Sequence, residues 1–250
     1  MTTTLSPQKT RPSQTTPRPE DEPQNGLRRW TPDEYHRLKQ SGLFSEERVE
    51  LLDGFIWHPE APDARRWTHE EYYRLGEMGF FDDERVELLD GRIWKLPPQK
   101  TPHFTAVRRT TETLEELFGS GYEVRPQGPL RLPNGNEPEP DVLVVPGTSS
   151  DYLESHPIVT DSFLLVEISD STLAKDRGTK LIDYARAGIE EYWIVNLVHR
   201  QLEVYRQPTP EGIYLDFAAY QSGENVAPLN APGRAVAIAD LLPPEPKQNP

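Results

Sequence analysis

One segment of this chain is written twice. RWTPDEYHRLKQSGLFSEERVELLDGFIW, from Arg29 to Trp57, aligns without a gap to RWTHEEYYRLGEMGFFDDERVELLDGRIW, from Arg66 to Trp94. The offset is 37 residues and about two-thirds of the positions are identical. Two segments this similar must take up the same local structure. They do not make a solenoid, because such arrays need three or more units to bury a continuous core.

Each copy reads as a short helix followed by a β-hairpin. Thr31 and Thr68 stand at N-cap positions, and acidic residues follow in the first turn, where the positive end of the helix dipole favours them. The Asp-Gly pairs at Asp53 and Asp90 then mark tight hairpin turns between apolar residues. The first copy ends in a linker, HPEAPDA, whereas the second runs on into a helix. There Phe104, Val107, Thr111, Leu114 and Leu117 recur at helical spacing until Gly119 and Gly121 stop it.

Beyond Gly121 the pattern changes to strands, YEVRPQ, DVLVVP and FLLVEIS, then a helix from about Thr172 to Gly188. EYWIVN and QLEVYR follow around a turn at 197–200, and GIYLDFAAY and AVAIADLL read as further strands. Strands wrapped by helices in this order imply a mixed α/β (α+β) domain over 64–242, with a central sheet flanked by helices. Residues 28–60 are then a partial duplicate of its helix-hairpin segment. Proline, Ser, Thr and Gln dominate 1–27 and 243–250, which read as disordered tails.

The bulk charge narrows the function. A net charge of −14 and a sequence pI near 4.9 give no global attraction to phosphate backbones, so any work on nucleic acid must rest on a local surface or on metal ions. The chain has no cysteine, which excludes disulfides, thiol chemistry and Cys-based zinc sites. Neither a secretory leader nor an apolar run of about 20 residues is present, so the expectation is a cytoplasmic protein with no membrane partner. GxSxG, GxGxxG and P-loop motifs are missing, against a serine hydrolase of that type, a dinucleotide enzyme or a P-loop NTPase.

Two carboxylates stand out. Asp141 opens the apolar run DVLVV and Glu167 interrupts the apolar run FLLVEIS, and a carboxylate in such a setting must be paired, protonated or metal-bound. On a period of two, Leu165, Glu167 and Ser169 share one face of the strand, near its end. Carboxylates at the ends of neighbouring strands, with the backbone carbonyl of Ile168, make an oxygen-rich site suited to Mg²⁺ or Mn²⁺. The plainer reading is a turn-capping Asp141 and an arginine-paired Glu167. Lys180 lies on the following helix with Asp176 and Tyr184 a turn away on either side, placed either to counter transition-state charge or to form an ordinary surface pair; Lys175 is its competitor. His103 could approach the same place, or cap a helix.

PDVLVV, LLVEISDSTLAKDRGTKLIDYARAGIEEYWIV and VELLDG together resemble the Uma-two family of restriction-type endonucleases, within the PD-(D/E)XK nuclease superfamily. The likeness spans about residues 67–242. It implies a restriction endonuclease-like fold and a Mg²⁺- or Mn²⁺-dependent endonuclease that hydrolyses DNA phosphodiester bonds. Asp141, after Pro140, falls on the motif aspartate, Glu167 on the motif glutamate, and Glu87 on the early glutamate of ELLDG. The superfamily lysine two residues after the glutamate is Ser169 here, and the resemblance moves that role to Lys180. The implied metal ligands are Asp141, Glu167 and the Ile168 carbonyl, with Glu87 as an accessory. A homodimer is compatible with this reading. The rival is a nuclease-fold scaffold or nucleic-acid-binding module without turnover.

Overall fold

The computed structural model of the chain describes residues 26–61 and 63–245. It divides into two compact units, one of residues 26–98 with Asn134–Pro138, the other of residues 99–133 and 139–245. Most of each expected tail lies outside the described residues. Gly26 and Leu27, read from sequence as tail, are paired instead: the Lys95 N–H donates to the Gly26 carbonyl at 2.7 Å and Leu27 bridges Trp94.

The first unit holds both copies of the repeat. The first contributes α1 (Pro32–Gln40), β1 (Glu50–Leu52) and β2 (Phe55–Trp57), and the second α2 (His69–Glu77), β3 (Val86–Leu89) and β4 (Arg92–Lys95). Both helices open with a capping box. The Glu34 N–H donates to the Thr31 hydroxyl at 3.2 Å while the Glu34 carboxylate accepts the Thr31 N–H at 2.7 Å, and Thr68 and Glu71 do the same at 3.2 and 2.9 Å. In each hairpin turn both central residues have positive φ, 51° and 81° at Asp53 and Gly54, 50° and 63° at Asp90 and Gly91, as a type I′ turn requires. A side chain at Gly54 or Gly91 would also come within 2.8 or 2.9 Å of the Cβ of Arg29 or Arg66.

The two copies share one core. Trp30, Leu38, Phe44, Val49 and Ile56 pack with Trp67, Leu75, Phe80, Val86, Leu88 and Ile93 in a single cluster. The sequence reading placed a boundary between 60 and 64, whereas here the compact unit runs through both copies to residue 98. Each copy buries its apolar face on the other, which a single helix and hairpin could not do alone. Asn134–Pro138 adds an edge to β3, with the Glu137 N–H donating to the Leu88 carbonyl at 2.8 Å.

The second unit is built on a six-stranded mixed sheet. In chain order come α3 (Thr101–Phe118), β5 (Tyr122–Pro126), β6 (Val142–Pro146), β7 (Leu164–Ser169), α4 (Leu173–Lys175), α5 (Leu181–Ala187), β8 (Glu191–Asn196), β9 (Gln201–Pro208) and β10 (Tyr214–Gln221). A short pair, β11 (Asn225–Val226) and β12 (Val236–Ala237), leads into α6 (Ile238–Leu241). The sheet order is β10-β9-β8-β7-β6-β5, antiparallel except between β7 and β8. That parallel pair needs a crossover, which α4 and α5 supply.

Strand alternation sorts the core into two layers. Val142, Val144, Leu164, Val166 and Ile168 face α3 and α6, with Val107, Leu114 and Leu241. Leu143, Val145, Leu165, Tyr192 and Ile194 face α5, with Leu181, Tyr184 and Ala185. In α3 the buried stripe is Ala106, Val107, Thr110, Leu114, Leu117 and Phe118; Phe104, counted from its spacing, is 57 % exposed. AVAIADLL, read as a strand, gives only the two-residue β12 before turning helical at Ile238.

The expected helix from Thr172 to Gly188 is broken. Between α4 and α5, Asp176–Lys180 forms a wide π-type turn with Gly178 off helical geometry, and α5 stops at Gly188 with φ 88°. Such one-turn bulges are frequent at functional sites.

Candidate active site

Glu167 occupies the centre of a strand that is buried along its whole length, rather than the rim expected from sequence. It shares the α5-facing side with Leu165 and Ser169, as the period of two requires. The π-turn and α5 bring two donors to it. Lys180 Nζ donates to Glu167 Oε1 at 2.8 Å and the Tyr184 hydroxyl donates to the same oxygen at 2.7 Å. The lysine and glutamate side chains are 6 % and 3 % exposed, so this is a buried ion pair and not the surface pair that was the plainer alternative. Lys175, one turn earlier, is half-buried.

Asp141 lies just before β6. The β6–β7 register pairs Val142 with Val166, and one further step sets Asp141 opposite Glu167. Its Oδ2 accepts the Ile168 N–H at 2.9 Å, which ties the carboxylate to the backbone beside Glu167. Gln127 approaches Oδ1 at 3.4 Å. Directly opposite residues on antiparallel strands project to one side of the sheet.

His103, near the start of α3, has its Nε2 3.2 Å from Asp141 Oδ2. Burial alone would lower its pKa, but the Asp141 carboxylate outweighs that, and Asp176 and the Ile168 backbone act in the same direction. The imidazole is therefore held above its usual range. Asp176 is fully enclosed and accepts hydrogen bonds from Ser169 and Thr172, each at 2.6 Å. Burial pushes its pKa up despite Lys180 and those two hydroxyls. Ser169 thus anchors the turn that carries Lys180.

Among the described residues no three His, Asp or Glu side chains are grouped to hold a metal by themselves. An ion here would need a backbone oxygen as well. The Asp141 carboxylate and the Ile168 backbone both act on His103, and carboxylate and carbonyl oxygens are of the hard donor type that Mg²⁺ and Mn²⁺ select.

Glu87 belongs to the first unit, on β3 opposite Trp94, and is 0 % exposed. Its counterpart Glu50, in an identical ERVELLDG, is exposed. The same unit contains a cavity of about 470 Å³ lined by Arg66, His69, Asp90 and Asn136 among others, which holds none of the candidate catalytic or metal-binding residues. Three arginines of the second unit have partners within the protein. Arg108 meets Glu112, Arg109 meets the Ala239 carbonyl, and Arg125 meets Glu123.

Tyr184 was noted in the sequence only as a neighbour of Lys180, and its i,i+4 spacing was the signal for its place on Glu167. His103 carried no comparable signal, since nothing local ties it to a residue on a distant strand.

The Uma2 family model, described as "Putative restriction endonuclease", matches residues 69–239. Among solved structures, a "putative nuclease belonging to DUF820" from Anabaena variabilis superimposes with a TM-score of 0.52 at 15 % identity. The match covers 70 % of this chain and 96 % of that one, and it supports the nuclease fold of the mixed sheet and its helices. No curated protein matches the chain. No helix among the described residues is long and apolar enough to cross a membrane.

Proposed function

Since the chain belongs to the Uma2 family of restriction endonuclease type, we propose that it is a DNA endonuclease whose divalent-metal-dependent site is built on Asp141, Glu167 and the Ile168 carbonyl, with Lys180 as its fixed cation. The observation that carries this reading is the convergence of Lys180 on Glu167 at 2.8 Å beside an Asp141 bound to the Ile168 N–H at 2.9 Å. A buried ion pair is seldom kept for stability alone, because desolvation offsets most of its Coulomb energy.

Mg²⁺ or Mn²⁺, when bound, supplies Lewis-acid polarisation of a phosphoryl oxygen and makes water acidic enough to attack at neutral pH. The chain's own residues do the rest. The Ile168 N–H holds the Asp141 carboxylate in one orientation. Tyr184 and Lys180 hold that of Glu167, so both groups are placed before substrate arrives. The Lys180 ammonium sits where it can counter the extra negative charge of a pentavalent phosphate or orient the attacking water. An acidic chain that works on DNA needs such local cations, since its net charge of −14 repels the substrate at long range.

The test is cleavage of single-stranded, duplex, branched and methylated DNA with Mn²⁺ or Mg²⁺. Wild-type protein should cut at least one of these substrates only when the ion is present. Asp141→Asn and Glu167→Gln should lose cleavage with their circular dichroism unchanged. The ion should also raise the wild-type melting temperature by mass action and leave that of Asp141→Asn unmoved. Metal-independent cutting, or full activity in Glu167→Gln, would overturn the assignment. A stable fold with neither metal shift nor cleavage would favour the non-catalytic scaffold.

A further inference from the structure

The contacts between the two copies of the repeat come in pairs related by the same 37-residue offset. Arg28 donates to Glu34 of its own copy at 2.5 Å and is ion-paired with Glu84 of the other. Its equivalent Arg65 donates to Glu71 of its own copy at 2.9 Å and to Glu47 of the other at 2.7 and 2.8 Å. Arg37 donates to the Met78 carbonyl at 3.1 Å, and Arg74 to the Ser41 carbonyl at 3.0 Å. The backbone follows suit. The Arg28 N–H reaches the Ile93 carbonyl at 2.8 Å and the Arg65 N–H the Ile56 carbonyl at 2.6 Å, while Leu27 bridges Trp94 and Ala64 bridges Trp57. Trp30 and Trp67, equivalent residues, pack on each other with ring centroids 5.0 Å apart.

When residue i of one half contacts j of the other, and j of the first contacts i of the second, the interface is isologous, the geometry of a twofold dimer. Here that geometry is closed within one chain. We infer that the face of the second copy carrying Arg65, Trp67, Arg74 and Glu84 is a self-association surface, that the partner it fits is another copy of this same segment, and that the first copy occupies it in cis. The inference does not rest on the nuclease reading.

Two observations commit the occupant. First, the second copy alone carries both sides of each exchange: Arg65 and Glu84, Arg74 and the Met78 carbonyl, and Trp67 at the centre. Two chains meeting through their second copies can therefore form Arg65–Glu84 pairs like the Arg28–Glu84 pair. Second, the linker between the copies is short and folds back, with Trp57 bridging Ala64. A tether of this length gives an effective concentration on the order of millimolar, which outcompetes another chain at micromolar concentration. The duplication thus satisfies internally a surface that would otherwise pair two chains, and this face of the full chain is closed to self-association.

The test uses the full chain. Arg28→Glu, Trp30→Asp and Glu47→Arg together disable the first copy's side of the contact and leave every residue of the second copy intact. At tens of micromolar the wild type should show a monomer mass in light scattering and the triple variant twice that mass. Adding Glu84→Arg to the triple variant should restore the single mass. A folded triple variant that stays monomeric overturns the proposal, as does a dimer insensitive to Glu84→Arg.

Should the triple variant fail to fold, the wild-type sequence carrying a protease site between the exposed Pro59 and Glu60 provides the second measurement. Chains cut there are mixed, one pool being ¹⁵N-labelled, and followed by native mass spectrometry. Pairs combining a light small fragment with a heavy large one, together with species holding two large fragments, are expected. Fragments that exchange without any paired large fragments overturn the inference, and so do fragments that never exchange.

Discussion

Replacing Arg65 by Met should destabilise the duplicated unit by about 2–3 kcal/mol, and Arg28→Met should cost the same to within about 0.5 kcal/mol, because the two arginines hold equivalent positions. The magnitude follows from burial. The Arg65 side chain is 5 % exposed and its partners Glu47 and Glu71 are 31 % and 17 % exposed; Arg28 is 3 % exposed, with Glu34 and Glu84 at 21 % and 19 %. Removing one member of a fully buried pair costs about 3–5 kcal/mol, but here the orphaned carboxylates regain water, which brings the loss below that range. Lost stacking adds to it, since the guanidinium groups lie 4.9 Å from the Trp67 ring and 4.1 Å from the Trp30 ring. Arg66→Met is the internal control. Its side chain is 38 % exposed and paired with Asp90 at the surface, so it should cost less than about 1 kcal/mol. Urea unfolding followed by tryptophan fluorescence reads this unit directly, because Trp30, Trp57, Trp67 and Trp94 lie in it and only Trp193 lies outside. A large loss for Arg65→Met with a small one for Arg28→Met would refute the equivalence of the copies. Equal losses at all three positions would refute the burial argument.

Acid should weaken the same unit. The Arg65 hydrogen bond holds the Glu47 carboxyl below its ordinary value of 4.5; burial opposes this at Glu34, but the Thr31 N–H and Arg28 outweigh it there. Carboxyls depressed in the folded state contribute stability that is full above the unfolded value and lost as pH falls through the folded one. The urea midpoint should therefore drop as pH is taken from 5 to 3, and less steeply in Arg65→Met; equal slopes would show that Arg65 is not the cause. In the second unit, Tyr184→Phe removes the 2.7 Å bond to Glu167 and should lower stability by about 1 kcal/mol in urea unfolding while reducing cleavage. Wild-type cleavage in that variant would mean that Lys180 alone suffices to orient Glu167.

Much of this protein is determined locally and so is legible in its residues. Capping boxes at Thr31 and Thr68 and the Asp-Gly turns place the helix and hairpin of each copy, because they depend only on neighbours within a few positions. The two-residue period of FLLVEIS sets Glu167 on the side opposite Val166 and Ile168 for the same reason. Three features depended on tertiary structure. The π-turn at Asp176–Lys180 is invisible to a 3.6-residue period, yet it shapes the crossover that carries Lys180. His103 reaches Asp141 from another element, a contact that no local rule encodes. The repeat itself shows that two like segments exist, but an apolar stripe does not specify what covers it. Only the packed structure shows that each copy covers the other, because burial of an amphipathic face is a long-range event whose partner the face itself does not name.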